Sequence, residues 1–334
     1  MKGLFAETER NPVKDIVRSR LQSLEFGEPQ VYENIAIVPL IASAEGRYRY
    51  RTLGEAIAGW DIVITEISTA GSIRDLTVFN HTKRPVLLMD GEELVGARQN
   101  RGLNTSILIK EISETMIVVS STEQGRWTRT SVAFRDSANI MPYKIRAQKA
   151  PSVHSFLEAR GKPLADQGAI WHGIAELQAK AGAASPTSAM SNIYKAREED
   201  LRICDETFKP VRNQVGLLAI INGRPAGADL VSLTAAYAKL HSKLVRSYVL
   251  EAFLDDGKAH SPLSVSSSIL TTRAKQFLAE VTLTEERQFP SIGHGTDFRY
   301  RSATPHSAVR PPLICGSALV HEKEVIHAAF FCLD

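Results

Sequence analysis

PVLLMDGEELVGARQNRGLNTSILI, residues 85–109, places a long polar stretch between two apolar runs. Asp90-Gly91 is a strong signal for a tight hairpin, because both central residues of a type I′ turn need positive φ. The reading is an apolar strand, a turn, and a short return that ends in Gly96-Ala97. The same order recurs in LLAIINGRPAGA, residues 217–228, with Asn222-Gly223 in the turn. GSALVHEKEVIHAAFF, residues 316–331, is a third, looser version. The recurrence fits an internal duplication into two related β halves. It also fits the commonness of such hairpins in sheets.

Working outward, NIAIVPLIA (34–42), DIVITEIS (61–68), DLTVFN (75–80) and MIVVSS (116–121) are short runs rich in Val, Ile and Thr. Turn residues separate them at fairly regular spacing, which predicts antiparallel β structure of sandwich type. TLGEAIAGW (52–60) interrupts them as a short helix. Three longer stretches carry helical spacing: residues 12–24 after an Asn11 N-cap, 166–183, and 232–254 with Leu233, Tyr237, Leu240, Leu244 and Tyr248 facing inward. Further helices are expected over 185–203, capped by Ser185, and over 267–281. The fold class is therefore α+β, an antiparallel β-rich core with several packed helices. The division expected is an N-terminal helical segment 1–30, a β-rich half 31–145, a helical connector 146–210 and a second α+β half 211–334. That last half forms one continuous unit with the first.

Composition narrows the function. A chain of 334 residues with 43% hydrophobic residues can bury a sizeable core. Its net charge of +3, with Lys and Arg dispersed, lacks the footprint of a nucleic-acid binder and of a membrane-surface protein. No window approaches the ~18 unbroken apolar residues of a membrane span. Cys204, Cys315 and Cys332 form no C-x-x-C pair, and so low and odd a count suits a reducing, cytoplasmic setting. The sequence specifies no protein partner and no oligomeric state.

The polar stretch carries the candidate site. Arg98, Gln99, Asn100, Arg101, Asn104 and Thr105 lie almost side by side. Arg offers planar paired donors for phosphate or carboxylate, and Asn and Gln offer a donor and an acceptor together. That mix suits a small polar ligand of nucleotide or sugar-phosphate type. STEQGRW (121–127) adds Glu123, Gln124 and Arg126. Trp127 suits stacking on a planar ligand, although a single Trp is more often a core residue. GHGTDFRYR (293–301) is expected to be a turn before a strand, with His294, Thr296, Asp297 and Arg299 near the same cleft. Asp90, Glu93 and Glu123 are the candidate acid–base groups, while Glu92 reads as solvated. The bland alternative is an internal ion-pair and amide network that fixes strand register, since buried guanidinium and amide groups need partners.

GxSxG, HExxH, Walker A and kinase signatures are absent, and the histidines do not pair at metal-ligand spacing. No metal site and no cofactor are therefore expected, though one or two carboxylates suffice for Mg²⁺.

The strings DGEEL-x-GA-x-QNR-x-LNTS and EQGRW, with SPTSAMS, INGRPAGADLVS and KLVRSYVLEAF, resemble the ARPP domain, the "ARG and Rhodanese-Phosphatase-superfamily-associated Protein" domain. The resemblance runs from about residue 30 to the end. It implies a link to ADP-ribose or phosphate chemistry and carries no settled mechanism. Members often have a Cys two residues ahead of the Glu of EQGRW. Ser121 stands there in this chain, so a thiol nucleophile at that point is not expected. Two readings follow: a polar cleft that binds or processes a nucleotide or ADP-ribose-type ligand, as a hydrolase or transferase if it is an enzyme, or a non-catalytic interaction or structural module.

Overall fold

Val215–Ile221 is apolar at every position except Gly216, and this places it inside a sheet buried on both faces. Leu217, Ala219 and Ile221 join one core, and Val215, Leu218 and Ile220 join another. The structure, a computed structural model, describes residues 14–67, 74–254, 263–303 and 313–333. Among them are eight helices and 18 strands, all but one of the strand pairings antiparallel, so the fold is α+β.

The largest sheet has nine strands. Across it run Leu24–Phe26, Ile35–Ala42, Gln214–Ile221, Arg224–Val231, Glu324–Leu333, Leu313–His321, Thr296–Arg301 and Glu285–Pro290, with Gln30–Tyr32 also on Ile35–Ala42. Helices Tyr143–Arg160 and Thr234–Leu254 pack against one face, and Ser267–Val281 and Lys14–Gln22 against the other. The proposed cap Asn11 lies outside the described residues.

Two of the three recurrent segments are true hairpins here. Asn222-Gly223 has φ of 50° and 78°, and Glu322-Lys323 has 47° and 63°, the positive values a type I′ turn requires. Each return strand also carries one extra residue, Ala226 and Ile326, at the same offset from its turn. The two hairpins lie side by side, with Asp229 opposite Ala329.

The segment 85–97 departs from its expected hairpin. A turn forms at the expected place, with Glu92 N donating to Met89 O at 3.1 Å, but only its second central residue, Gly91 at φ 84°, has positive φ, so it is not the expected type I′. The flanking strands nevertheless do not pair. Val86–Leu88 bonds to Ile107–Ile109 and, in parallel, to Arg51–Thr52. Glu92–Val95 bonds to Arg101–Leu103 and to Arg135–Ile140. The turn thus carries the chain from a three-stranded sheet into a six-stranded one, which continues beyond Arg101–Leu103 with Ser113–Ser121, Asp75–Asn80 and Ile62–Glu66. The two sheets sandwich a core that includes Leu88, Ile107, Leu94, Val78 and Ile117. Leu87, Leu108 and Met89 on the other face of the three-stranded sheet join the main core. A helix over Leu53–Ala58, capped by Thr52 and Glu55, closes one end.

Tyr143–Arg160 has no counterpart among the expected helices. Its buried positions include Arg146, Lys149 and His154. No helix among the described residues is long and apolar enough to cross a membrane.

Candidate functional site

The polar stretch divides into an interior network and a pocket. Asp90 belongs to the interior. Its carboxylate pairs with Lys149 Nζ and lies 3.5 Å from Arg146 Nε. Burial pushes the Asp90 carboxyl up, but Lys149 and Arg146 outweigh it and hold it below its ordinary range. Burial lowers Lys149 to about 8 against the pull of Asp90. Lys149 also donates to Leu103 O and Asn104 O, at 2.9 and 3.0 Å. Arg146 grips Asp229 with two nitrogens, and Asp229 also accepts from Tyr248 Oη at 2.7 Å. His327 Nε2 is 3.4 Å from Asp229 Oδ1, and His327 Nδ1 is 2.8 Å from Ser106 Oγ. All these side chains are buried, so the Ser106–His327–Asp229 order lies away from any surface a substrate could reach, and His327 Nε2 makes no hydrogen bond.

Several expected ligand groups are also internal. Asn104 Nδ2 donates to Pro163 O, and its Oδ1 accepts from Ser120 Oγ. Thr105 bonds to Asp297 and Arg299, which places part of GHGTDFRYR against this network. Arg101 donates to Gln99 Oε1 at 2.8 Å, and Gln99 Nε2 donates to Gln124 O at 3.3 Å. Arg98 is exposed and lies 3.9 Å from Glu66. Gln124 is exposed and does not line the pocket. Glu92, read from sequence as solvated, is buried and paired with Lys243 at 2.9 Å. Burial raises its carboxyl, against the pull of Lys243.

Asn100, Glu123 and Arg126 do converge, on a pocket of about 300 Å³. The fold explains why. Thr122 N donates to Asn100 O, which holds the end of the polar stretch beside EQGRW. Glu123 then accepts from Asn100 N at 3.1 Å, from Thr187 Oγ1 at 2.7 Å and from Arg126. Burial pushes Glu123 up, but these bonds, Arg126 foremost, keep it below its ordinary range. Arg126 also donates to Ala97 O, Gly96 O and Asn100 Oδ1. Thr130 and Ser131 form one rim. Ser191, Asn192 and Lys195, from the short helix Ser191–Ala196, form the other, and Arg135 closes it.

Glu93 is buried and does not line this pocket. It shares a strand face with Val95, which lines the pocket. Thr122 Oγ1 donates to one of its oxygens at 2.8 Å. Burial, offset in part by that bond, raises Glu93 to about 7, with Glu123 adding to the rise.

Ser121 is buried and donates to Glu123 O at 2.7 Å, a turn-forming role. The thiols of Cys204 and Cys315 are buried and pushed up to about 12, which leaves them inert. Among the described residues no group of three or more His, Cys, Asp or Glu is placed to hold a metal.

The model of the ARG and Rhodanese-Phosphatase-superfamily-associated Protein domain matches residues 23–331, nearly the whole chain. The chain belongs to that family. No curated protein and no solved structure matches it. The matched span of this ARPP domain covers both the interior network and the pocket. Sequence reasoning missed Arg135, Thr187, Asn192 and Lys195. Ser191, Asn192 and Lys195 occupy one helical face at spacings of three and four, but the helix is too short for that pattern to stand out.

Proposed function

We propose that this ARPP domain binds a small phosphorylated ligand of nucleotide or ADP-ribose type in the pocket over Asn100, Glu123 and Arg126. One observation carries the reading. The pocket holds three cations, Arg126, Arg135 and Lys195, and one carboxylate, Glu123, which Arg126 already neutralises. The side chains of Arg135 and Lys195 have no ion-pair or hydrogen-bond partner among the described residues. Two unpaired cations above amide and hydroxyl donors form a surface complementary to phosphate oxygens.

A thermal-shift panel of ADP-ribose, NAD, mononucleotides and sugar phosphates, with and without Mg²⁺, tests the reading. A ligand at ~100 times its dissociation constant stabilises by about 2.7 kcal/mol. No shift with any phosphorylated compound removes the reading. The second reading is a non-catalytic structural module. Gln99, Arg101, Asn104, Thr105 and Asp90 favour it, because each is already bonded within the chain.

A further inference from the structure

Trp127 is 56% exposed, at a position where the core was the commoner expectation. Its backbone is nonetheless tightly held. Gly125 N donates to Thr187 O at 2.8 Å, and Thr130 N donates to Ala97 O at 2.9 Å. Between these anchors, Arg126 fastens the turn to Ala97 O, Thr128 O and Thr130 Oγ1. Arg126 and Thr130, on either side of Trp127 in the chain, both line the pocket. Among the described residues no ring or guanidinium stacks on the indole. The indole is not itself part of the pocket's lining; a fixed turn whose Arg126 and Thr130 do line it presents this large flat ring to solvent. Such a ring stacks on a planar partner at little cost in ordering, because its backbone is already in place.

We infer that Trp127 is a specificity-determining residue, and that the ligand carries a planar heterocyclic ring as well as its phosphate. The phosphate lies against Arg135 and Lys195 while the ring stacks on Trp127. This rests on the anion-pocket reading and narrows it: nucleotides are selected over sugar phosphates and inorganic phosphate. Base stacking on aromatic side chains is tolerant of base identity, so purines and pyrimidines both bind.

The test is calorimetric titration of the full chain with inorganic phosphate, ribose 5-phosphate and AMP. AMP is expected to bind at least ~5-fold more tightly than ribose 5-phosphate, the lower bound for one stacked base. Trp127→Ala should bring AMP down to the level of ribose 5-phosphate and leave the latter unchanged, and Trp127→Phe should keep most of the preference. Equal affinities for AMP and ribose 5-phosphate, or a preference that survives Trp127→Ala, would overturn the inference while the anion pocket stands. Failure of all three probes to bind removes the pocket reading, and this inference with it.

Discussion

Arg146 and Asp229 meet through two hydrogen bonds of 2.9 and 2.7 Å, with neither side chain exposed to solvent. One comes from helix Tyr143–Arg160 and the other from strand Arg224–Val231, so the pair ties the helical layer to the main sheet. Removing the carboxylate strands a buried guanidinium. Asp229→Ala should lower stability by about 3–5 kcal/mol. Chemical denaturation measures this, and a loss under ~1 kcal/mol would show that the pair contributes no more than an exposed one.

The Glu93 carboxyl is pushed up by burial, opposite in direction to a carboxylate that gains a cationic partner. It ionises near 4.5 when free and at about 7 in the fold. Between those values the folded state binds the proton more tightly. Its contribution is therefore full below 4.5 and is lost as pH rises through about 7. The stability of the parent relative to Glu93→Gln should fall by about 3 kcal/mol from pH 4 to pH 8. Urea denaturation across that range reads it, and a difference that stays flat with pH refutes it.

Arg135 and Lys195 are exposed, so their loss should barely change folding. The double variant Arg135→Ala/Lys195→Ala should keep its melting temperature and lose affinity for phosphorylated probes. Parent affinity should also weaken with added salt. Unchanged affinity in the double variant would place binding elsewhere.

Gly293 sits where a Cβ would lie 2.1 Å from Leu108 O. That carbonyl accepts from His294 N at 2.8 Å and joins the three-stranded sheet to the segment before Thr296–Arg301. Gly293→Ala must push backbone apart and should cost about 1–3 kcal/mol. A melting temperature equal to that of the parent would contradict the close approach.

How much of this was legible follows from where each signal resides. Asn222-Gly223 was readable because turn and pairing are both local. Asp90-Gly91 gave the place of the turn but neither its type nor its pairing, because Ile107–Ile109 and Arg51–Thr52 occupy the edges of Val86–Leu88, and Arg101–Leu103 and Arg135–Ile140 those of Glu92–Val95. The helix Tyr143–Arg160 was invisible for a different reason. Its buried face carries Arg146, Lys149 and His154, and Pro151 lies mid-way, so no apolar stripe repeats at 3.6 residues. With that helix went the partners of Asp90, whose engagement in the interior no local pattern reveals. Asn100, Glu123 and Arg126 were legible as a polar group, since the residue types alone mark them. Thr187, Ser191, Asn192 and Lys195, which complete one side of their pocket, lie further along the chain, Thr187 being 64 residues beyond Glu123.

The strand Ile35–Ala42 bonds to Gln214–Ile221 along its length. A growing chain makes the first long before the second. The short strands Leu24–Phe26 and Gln30–Tyr32 can join it at once, but its other edge stays open until residues 214–221 have left the ribosome. An apolar strand with an open edge is a template for pairing with another chain. Synthesis therefore passes through a window in which that edge is open to a neighbouring copy, and it stays open in chains ended before Gln214.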